Sequence, residues 1–479
     1  MASPGASPVD GGPSGTDAAR HMQDDLKGEI ARLTDVATDL MKRALARGVD
    51  VAEVRARSGS ELSVKVRLGE PELIEEAGHK SVGMRVMKSG KVALTSTSDL
   101  TPTGLARFVD DALELVEVSQ EDKFAGPADP ALLAKGELAK LDLFDPSTDA
   151  VDAAKALELA KRGEAAARGA DPRITKSDGA SFSRTTGCFA MVLSTGFSGG
   201  YAGSFSSISV VPVADDENDK KRRGFYYSAK RHLADLMTPE AVGEEAARRT
   251  LRKLGAKKVP TCEAPVVFDP DAARSLLGLL GGAIMGSSIW RKSSYLLDRE
   301  GTDIASPLIT ITDDPLIIRG PGSRPFDGEG LASRKNSVVE KGKLVQYLCD
   351  SYSGRKLSRP PTASAARGGG GGVGASTSNF VLAPTDTPAA DIVKNTKRGL
   401  YVTEMMGFGY NPVTGDFSRG AAGFWIENGE LAFPVSEVTI SLNMEELWKR
   451  IDAVGDDLDL RSATASPTFR VSSMTIAGS

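Results

Sequence analysis

The sequence predicts an α+β protein: an N-terminal α/β sheet-and-helix domain, followed by a mostly β C-terminal domain that contains a buried glycine-rich helix. Three observations predict this class. Up to about residue 256, long helical periodicities alternate with strands of period two. After that point, short strand-like runs are separated by Gly, Pro, Asn and Asp. Within this second part, residues 276–292 combine an apolar front half with several glycines, which predicts a tightly packed core helix.

The composition is that of an ordinary soluble globular protein. The 479 residues carry a net charge of −5, with 40% hydrophobic and 26% charged residues. No concentrated basic region supports nucleic-acid binding, and the apolar run 276–285 is about half of the roughly 20 residues that a membrane span needs. Cys188, Cys262 and Cys349 lie far apart, which indicates neither a disulfide framework nor a zinc ribbon. We therefore expect a cytoplasmic protein.

Three regions divide the chain. Residues 1–24 are rich in Ala, Ser, Gly, Pro and Asp and lack the apolar core of a signal peptide, so we expect a disordered leader. Residues 25–256 are expected to form the N-terminal α+β domain. Residues 257–479 are expected to form the β-rich C-terminal domain.

The N-terminal domain is predicted from its periodicities. An amphipathic helix over 26–45 closes at Gly48, and a second one runs from Leu105 to Val116. Between these helices, alternating apolar residues and a hairpin turn at 89–90 predict five strands: 51–57, 62–68, 71–76, 82–87 and 91–96.

The rest of this domain alternates helix and strand again. An Ala-rich helix is predicted over 148–168, and 174–213 has the pattern of strands in a large sheet with one polar face. Residues 215–223 switch charge sign, which is typical of a solvated hairpin tip. Residues 238–240, Thr-Pro-Glu, supply the N-cap, the first-position proline and the acidic first turn of a helix that ends at Gly255.

In the C-terminal domain, Asp271 is placed to cap the glycine-rich helix. Each helical glycine costs about 1 kcal/mol relative to Ala, so we expect a neighbouring backbone close to Gly278, Gly281, Gly282 and Gly286. Downstream, turn and periodicity signals predict two hairpin turns, a helix and a closing strand: 341–343, 428–429, 444–451 and 468–475.

The three histidines do not suggest a reaction centre. His21 lies in the leader, His79 in a predicted turn between two strands, and His232 in a Lys-Arg-His run. No two of them have the helical or hairpin spacing that brings metal ligands together. We therefore expect neither a histidine zinc site nor a Ser-His-Asp arrangement.

Four carboxylates lie close together in sequence: Asp313, Asp314, Asp327 and Glu329. They could form an oxygen-ligand cation site, but a structural, salt-bridged loop whose charge Arg324 offsets is the preferred interpretation. The run 368–372, with Gly374, lacks the Gly-Lys-Ser/Thr ending of a phosphate loop. We expect a mobile glycine loop followed by a strand, where an extended peptide could approach the backbone.

Five blocks of the second half carry a resemblance: 288–298, 323–330, 343–348, 351–357 and 451–458. They resemble the TldD/PmbA family of bacterial and archaeal metallopeptidases, in particular its non-catalytic TldE/PmbA-type subunit. The resemblance covers nearly all of 257–479. Before residue 256 it is looser and rests on the order of elements and on short patches at 83–86 and 96–99.

The resemblance carries an implication for the glycine-rich helix. In the family's catalytic subunit, the corresponding helix has a His-Glu-x-x-x-His motif, and a cysteine near the C-terminus is the third metal ligand. On this resemblance, the two histidine positions fall on Gly278 and Ala283 and the general-base glutamate on Leu279, while no cysteine follows Cys349. The resemblance implies no catalytic residue, metal ligand or cofactor in this chain, with zinc expected only in a catalytic partner subunit.

The resemblance also implies a function. The chain would pair with a catalytic TldD-type subunit, or with itself, to enclose a chamber that cleaves unfolded peptides or leader peptides. The strands of 174–213 and the glycine loop are candidate chamber walls, and strand addition would tolerate many sequences. A stand-alone, self-associating peptide-binding or scaffold protein is the alternative, and an active hydrolase using the four carboxylates is a third hypothesis. Neither nucleic acid nor membrane is an expected partner.

Overall fold

The computed structural model describes residues 15–217 and 219–478, with side chains described from Asp25 onward. Helices and sheets are mixed throughout this part of the chain, and a barrel-like sheet forms near the C-terminus. The α+β class that the sequence predicts is therefore confirmed.

The N-terminal half of the described chain contains five α-helices and seven strands, with two short 3-10 helices at Pro130–Leu132 and Leu233–Asp235. The helices are α1 (Gly15–Ala46), α2 (Pro102–Val118), α3 (Pro146–Asp149), α4 (Ala153–Gly169) and α5 (Pro239–Leu251). The strands are β1 (Val51–Arg67), β2 (Glu70–Lys88), β3 (Lys91–Thr97), β4 (Lys176–Leu193), β5 (Phe197–Asp215), β6 (Lys221–Arg223) and β7 (Tyr226–Lys230).

The C-terminal half has shorter elements. Its helices are α6 (Pro270–Ala283), α7 (Gly286–Trp290), α8 (Ser351–Lys356), α9 (Ala389–Lys394) and α10 (Met444–Lys449). Its strands are β8 (Cys262–Phe268), β9 (Ile311–Asp313), β10 (Asn336–Glu340), β11 (Lys343–Leu344), β12 (Ala365–Arg367), β13 (Val373–Ala375), β14 (Phe380–Leu382), β15 (Arg398–Met406), β16 (Asp416–Glu427), β17 (Glu430–Asn443), β18 (Ile451–Val454), β19 (Thr464–Ala465) and β20 (Phe469–Ala477).

Each half is built on its own large sheet. The N-terminal sheet has seven strands in the order β3-β2-β1-β4-β5-β6, and β7 also pairs with β5. The C-terminal six-stranded sheet has the order β17-β16-β15-β8-β20-β18, and an additional β17–β20 pairing closes it into a barrel-like layer. A five-stranded sheet (β11-β10-β9-β14-β19) and the two-stranded β12–β13 hairpin complete this half.

The first helix is longer than predicted. It begins at Gly15, so residues 15–24, which were expected to belong to a disordered leader, are helical. Residues 17–24 contain neither Gly nor Pro, so nothing in their sequence interrupts the amphipathic helix that follows. Residues 1–14 of the predicted leader lie outside the described residues.

Strands β1 and β2 are each continuous where the sequence predicted two separate strands. Strand β1 pairs with β2 along its whole length and, on its other side, with β4. These two ladders hold the small, turn-like residues around Gly59 in extended conformation, so tertiary pairing overrides their local preference. His79 consequently lies within β2, opposite Gly59, and not in a turn as predicted.

Helix boundaries follow the capping residues. The predicted Ala-rich helix is two helices, because Asp152 caps α4 by accepting the Lys155 amide at 2.7 Å. Thr238 caps α5 as predicted, accepting the Ala241 amide at 3.3 Å. This helix ends at Leu251, before the expected Gly255.

Helices α1, α2, α4 and α5 all pack on one face of the N-terminal sheet. Val54 of β1 is buried in a cluster with α1 and α2, and Val64 is buried in a second cluster with α4 and α5. Residues an even number apart in a strand point to the same face. The opposite face bears small polar side chains such as Ser183 and Ser207, whose hydroxyl oxygens lie 3.0 Å apart, so the predicted polar face is present.

The C-terminal half covers one end of that polar face. Phe326 packs edge-to-face against Phe197 and Tyr201, with ring centroids 4.8 and 5.5 Å apart. Leu331 and Met191 belong to the same buried cluster. Aromatic contacts of this kind add to the free energy of area burial, so the two halves share a small hydrophobic core.

A buried ion group lies beside this core. Glu53 of β1 accepts hydrogen bonds from Arg85 of β2 at 3.2 Å and from Arg367 of β12 at 2.6 Å. The side chains of Glu53 and Arg367 are each only 2% exposed. Arg367 therefore links the C-terminal half to the N-terminal sheet through a charge that has no access to water.

Replacing Arg367 should destabilise the whole chain. Arg367→Met leaves a buried carboxylate with only one of its two cationic partners, which should lower the free energy of unfolding by about 3 kcal/mol. Urea denaturation measures the change. Arg107→Met is the matched control, because the Arg107 side chain is 84% exposed and its only ion pair among the described residues spans 4.0 Å; it should change stability by less than about 0.5 kcal/mol. Equal effects of the two variants would contradict the assigned role of Arg367.

Candidate functional site

Helix α6 begins at a cap that lies two residues before the predicted one. Asp269 is the N-cap, and its carboxylate accepts the Ala272 amide at 2.8 Å. Pro270 takes the first helical position, where its missing N–H costs nothing. Asp271 instead lies in the first turn and pairs with Arg249 at 2.9 Å. The sequence thus predicted that a helix starts at this place in the chain but named the wrong capping residue.

Residues 276–292 are not one continuous helix. Helix α6 stops at Ala283, and Met285 is extended, with φ −67° and ψ 133°. The Gly286 amide then donates to the Leu348 carbonyl at 2.7 Å before α7 begins. This break turns the chain between two short helices.

One side of α6 is buried in the main core of the C-terminal half. Leu276, Leu277 and Leu280 are completely buried there. A Cβ on Gly281 would meet the Phe380 ring at 3.3 Å, and a Cβ on Gly286 would lie 2.6 Å from the Ser353 hydroxyl. These two glycines do have close neighbours, but the neighbours are side chains, so the predicted approach of a backbone is wrong here.

The other side of α6 is open. Gly278 and Gly282 are exposed, and a Cβ added to either would meet no atom within 4 Å. The predicted close approach is therefore wrong at these two positions. Leu279 is half-buried beside them, whereas Ala283 is only 2% exposed. Positions 278 and 283 lie about 140° apart around a helix, so the open face runs between them and Ala283 lies at its buried edge.

The histidines lie in the N-terminal half, away from α6 in the chain. The His79 ring packs over Gly59, where a Cβ would lie 3.0 Å from the ring. The Nε2 atom of His232 is 3.0 Å from the Asp142 carbonyl oxygen. The side chain of His21 is outside the described part. Within residues 25–217 and 219–478, no group of three His, Cys, Asp or Glu side chains is arranged to hold a metal ion.

All four candidate carboxylates accept backbone amides: the half-buried Asp314 accepts that of Leu316 at 2.9 Å, and the other three are buried. Asp313 accepts the Ser378 amide at 2.6 Å, and Glu329 accepts the Ser351 amide at 2.8 Å. Asp327 accepts the amides of Glu329, Leu331 and Ala365 at 2.9 to 3.1 Å. Burial raises the pKa of all three, and with the nearby charge of Asp327 it raises that of Glu329 to about 7. These groups stabilise turns and leave little capacity for a ligand.

The expected salt bridges of Arg324 do not form. Among the described residues, no ion pair includes this guanidinium, and its Nε and Nη2 atoms are buried without a hydrogen-bond partner. The Nε atom of Arg55, on β1, is likewise buried without a hydrogen-bond partner in the described chain. Asp314 approaches Lys335 at 3.9 Å instead. Arg55 carries no distinguishing signal in the sequence, because an arginine in an alternating strand resembles any solvent-facing residue.

The glycine loop connects β12 to β13 and lies against the N-terminal sheet. A Cβ on Gly83 of β2 would lie 2.5 Å from the Gly369 carbonyl oxygen. Strand β14 follows the loop, as the sequence predicted, whereas Gly374 lies in the short strand β13, which was not predicted. The loop therefore packs against the N-terminal sheet with its backbone, which side chains larger than hydrogen would prevent.

Three family models match the chain in succession. They are PmbA/TldA metallopeptidase domain 1 over residues 52–116, the central domain over 146–254, and the C-terminal domain over 261–478. The chain belongs to the PmbA/TldD metallopeptidase family. The family predicted from the sequence blocks is thereby confirmed.

Relatives from both branches of the PmbA/TldD family are similar to this chain. Metalloprotease PmbA from Escherichia coli O157:H7 is 39% identical over 429 residues, covering 90% of this chain and 92% of the relative. The Metalloprotease PmbA homolog from Haemophilus influenzae is 35% identical over 451 residues, covering 94% and 96%. The Metalloprotease TldD homolog from the same organism is 24% identical over 395 residues, covering 80% of each.

Solved structures of similar proteins share the fold. A candidate modulator of DNA gyrase from Bacteroides thetaiotaomicron has a TM-score of 0.87 and 29% identity, covering 93% of this chain and 98% of its own. TldE from Thermococcus kodakarensis has a TM-score of 0.83 and 20% identity, covering 92% and 100%. At that lower identity, the similarity to TldE shows the fold alone.

Adding a methyl group should change the free energy of unfolding in opposite directions at an open glycine of α6 and at the packed glycine of α7. Gly278→Ala adds a better helix former in open space and should raise the free energy of unfolding by up to about 1 kcal/mol. Gly286→Ala places a methyl group against Ser353 and Cys349 and should lower it by about 1 to 3 kcal/mol. Urea denaturation of both variants measures the changes, and a loss of stability in Gly278→Ala would show that the open face is in fact packed.

The Asp269 cap should make stability depend on pH. Burial raises the pKa of Asp269 to about 7, so between about pH 4 and 7 the folded state binds more protons than the unfolded state, and stability falls as the pH rises. Asp269→Asn keeps the capping oxygen but removes this titration. Its stability relative to the wild type should therefore rise by about 2 kcal/mol between pH 5 and pH 8. Asp152→Asn, at the exposed cap of α4, is the control and should show no such change.

Proposed function

We propose that this chain is a non-catalytic subunit of a TldD/TldE-type metallopeptidase complex, which encloses a chamber for proteolysis of unfolded peptides or leader peptides. The open face of α6 carries this proposal. The family resemblance locates the metal ligands and the general base of a catalytic subunit on this helix. In this chain the same positions are Gly278, Leu279 and Ala283, and the face between them is bare backbone and aliphatic carbon.

The chemistry of the metal supports the proposal. Zinc in proteins is held by thiolate sulfur, imidazole nitrogen or carboxylate oxygen. None of the side chains at the three positions has such an atom, and no cysteine follows Cys349 to act as the third ligand. We therefore assign zinc to a catalytic partner subunit. The contribution of this chain is then the shape and polarity of the chamber.

The polar face of the N-terminal sheet is suited to line such a chamber. Ser183 and Ser207 are half-buried on this face, and hydroxyl groups both donate and accept hydrogen bonds. The glycine loop reaches the same face at Gly83. Small hydroxyls and exposed backbone can contact a peptide main chain without selecting its side chains, as cleavage of unfolded peptides would require.

An open sheet edge supports association. Strand β3 covers only residues 82–88 of β2, so within the described chain residues 70–80 pair with β1 alone. Leu73 and Ile74 on this edge are 41% and 50% exposed. An edge with exposed apolar side chains can accept a strand from another chain. The same feature favours the alternative function, a self-associating peptide-binding or scaffold protein without protease activity.

The cysteines fit a cytoplasmic location. All three are free, and burial raises the pKa of Cys188 and Cys349 to about 11. Their thiols therefore stay protonated and unreactive at neutral pH. Within the described part of the chain, no helix has both the length and the apolarity needed to cross a bilayer.

The third hypothesis, a hydrolase that uses Asp313, Asp314, Asp327 or Glu329, has less support. A carboxylate that acts as a base or a metal ligand needs free lone pairs. Three of these four groups already accept backbone amides in buried turns. Recruiting them would break the turns that they stabilise.

The decisive experiment combines native mass spectrometry with metal analysis. The purified chain should contain no stoichiometric zinc and should cleave no unfolded peptide, because α6 supplies no ligand. Co-expressed with the His-Glu-x-x-x-His paralogue of its native cell, it should form a complex of defined mass that contains zinc and cleaves peptide.

Two controls accompany this experiment. The paralogue alone shows what the present chain adds to activity, and a paralogue lacking its first motif histidine should still assemble with this chain but lose activity. One tightly bound zinc ion per purified chain would refute the proposal. Recovery of complexes that contain only this chain would support the scaffold alternative.

A further inference from the structure

A cavity of about 160 Å³ lies where the two halves of the chain meet. Its N-terminal wall is formed by Arg55, Phe189 and Tyr201 on three adjacent strands of the sheet. Its C-terminal wall includes Arg324 and Asp327. Phe189 and Tyr201 are only half-buried, so a small molecule or a chain end has a path from the surface.

Two of the three arginines that line the cavity, Arg55 and Arg324, keep hydrogen-bond donors without partners in the described chain, whereas Arg367 is paired with Glu53. The Nε and Nη2 atoms of Arg324 and the Nε atom of Arg55 are buried, and within the described chain they have no acceptor. Arg55 is nevertheless held in place, because its Nη1 atom donates to the Arg367 carbonyl at 2.7 Å and its guanidinium lies 4.2 Å from the Phe189 ring centroid. Two guanidinium groups from different halves of the chain are thus positioned at one cavity.

The neighbouring acidic groups do not neutralise them. Glu53 is already shared by Arg85 and Arg367, and both carboxylate oxygens of Asp327 accept backbone amides. Burial and the charges of Arg367 and Arg57 lower the pKa of Arg55, the direction expected of a cation that has no anionic partner. Buried charge without a partner is strongly destabilising. The cavity therefore has an excess of positive charge.

We propose that this cavity binds a carboxylate group, either the C-terminal carboxylate of a peptide or an acidic side chain. The planar guanidinium fork matches a carboxylate in a bidentate arrangement. A single negative charge suits the site, because Asp327 lines the same cavity and would repel a phosphate dianion. The proposal deepens the proposed function and rests on it, since it assigns the chain a contact with the peptides that the complex would process.

Binding to the isolated full-length chain tests this proposal by isothermal titration calorimetry. Tetra-alanine with a free C-terminus, the same peptide with a C-terminal amide, and an amidated, N-acetylated Ala-Ala-Glu-Ala peptide separate the two sources of carboxylate. We expect at least one carboxylate peptide to bind more than tenfold more tightly than the neutral amide. Binding should weaken as salt concentration rises, as expected for an ion pair.

Variants of Arg324 separate binding from stability. Arg324→Met should lower the affinity for the carboxylate peptide at least tenfold, and Arg324→Lys should restore only part of it because it keeps the charge but loses the fork. The melting temperature of Arg324→Met should be unchanged or higher, since a buried unpaired charge is removed. Arg107→Met, at an exposed position, is the control and should bind as the wild type does.

Three outcomes would overturn the proposal: equal affinity for acid and amide peptides, a preference for inorganic phosphate over both carboxylates, or wild-type affinity in Arg324→Met. Failure here is distinguishable from failure of the proposed function. If the chain assembles with its catalytic paralogue but binds no carboxylate, only the cavity assignment fails. If it binds the carboxylate but holds its own zinc ion, only the non-catalytic assignment fails.

Discussion

The carboxylate of Glu53 sets the placement of the two halves of the molecule. It lies on the sheet face that the helices leave free, and it accepts Arg85 from the same sheet and Arg367 from the C-terminal half. Burial opposes its ionisation, yet the charges of Arg367 and Arg85 outweigh that effect and lower its pKa. A buried carboxylate is stable only while such partners stay in place. The contact therefore specifies one arrangement of the halves, whereas the aromatic cluster beside it contributes non-directional burial.

This ion group also determines what surrounds it. Arg367 is the last residue of β12, so holding its side chain also positions the glycine loop that follows and brings it against Gly83. The carbonyl of Arg367 in turn holds Arg55. Because the hydrogen bonds of Glu53 go to Arg85 and Arg367, Arg55 and Arg324 are left without a carboxylate partner within the described chain. The cavity is thus cationic because Glu53 accepts its two hydrogen bonds from Arg85 and Arg367 and none from Arg55 or Arg324.

Local backbone structure could be predicted from the sequence wherever a single residue type determines the conformation. Thr238 ahead of a proline located the start of α5, and Asn428-Gly429 located the β16–β17 hairpin, where both residues have positive φ of 54° and 82°. Long-range pairing could not be predicted in this way. The residues around Gly59 resemble a turn, and only the strands on both sides keep them extended. The cap at Asp269 was missed because Asp271 has the same side chain and lies closer to the apolar run.

The candidate site also depends on long-range contacts that could not be predicted from the sequence. The sequence shows that α6 has no metal ligand at the family positions, but only the structure shows that Gly278 and Gly282 face open space. Arg55 and Arg324 belong to different halves, so no motif or spacing could have brought them together.

These two surfaces differ in what they can do for a peptide. Between Gly278 and Gly282 the open face of α6 offers no charge and no side-chain donor, so this stretch can accommodate a main chain but cannot orient it. The cavity offers donors from both halves of the chain, and a bound carboxylate would connect them next to Glu53. Any ligand that binds the folded state alone also stabilises it. Capture of a peptide end would therefore strengthen the junction that forms the cavity, and the recognition of substrate and the rigidity of the subunit would depend on the same buried charges.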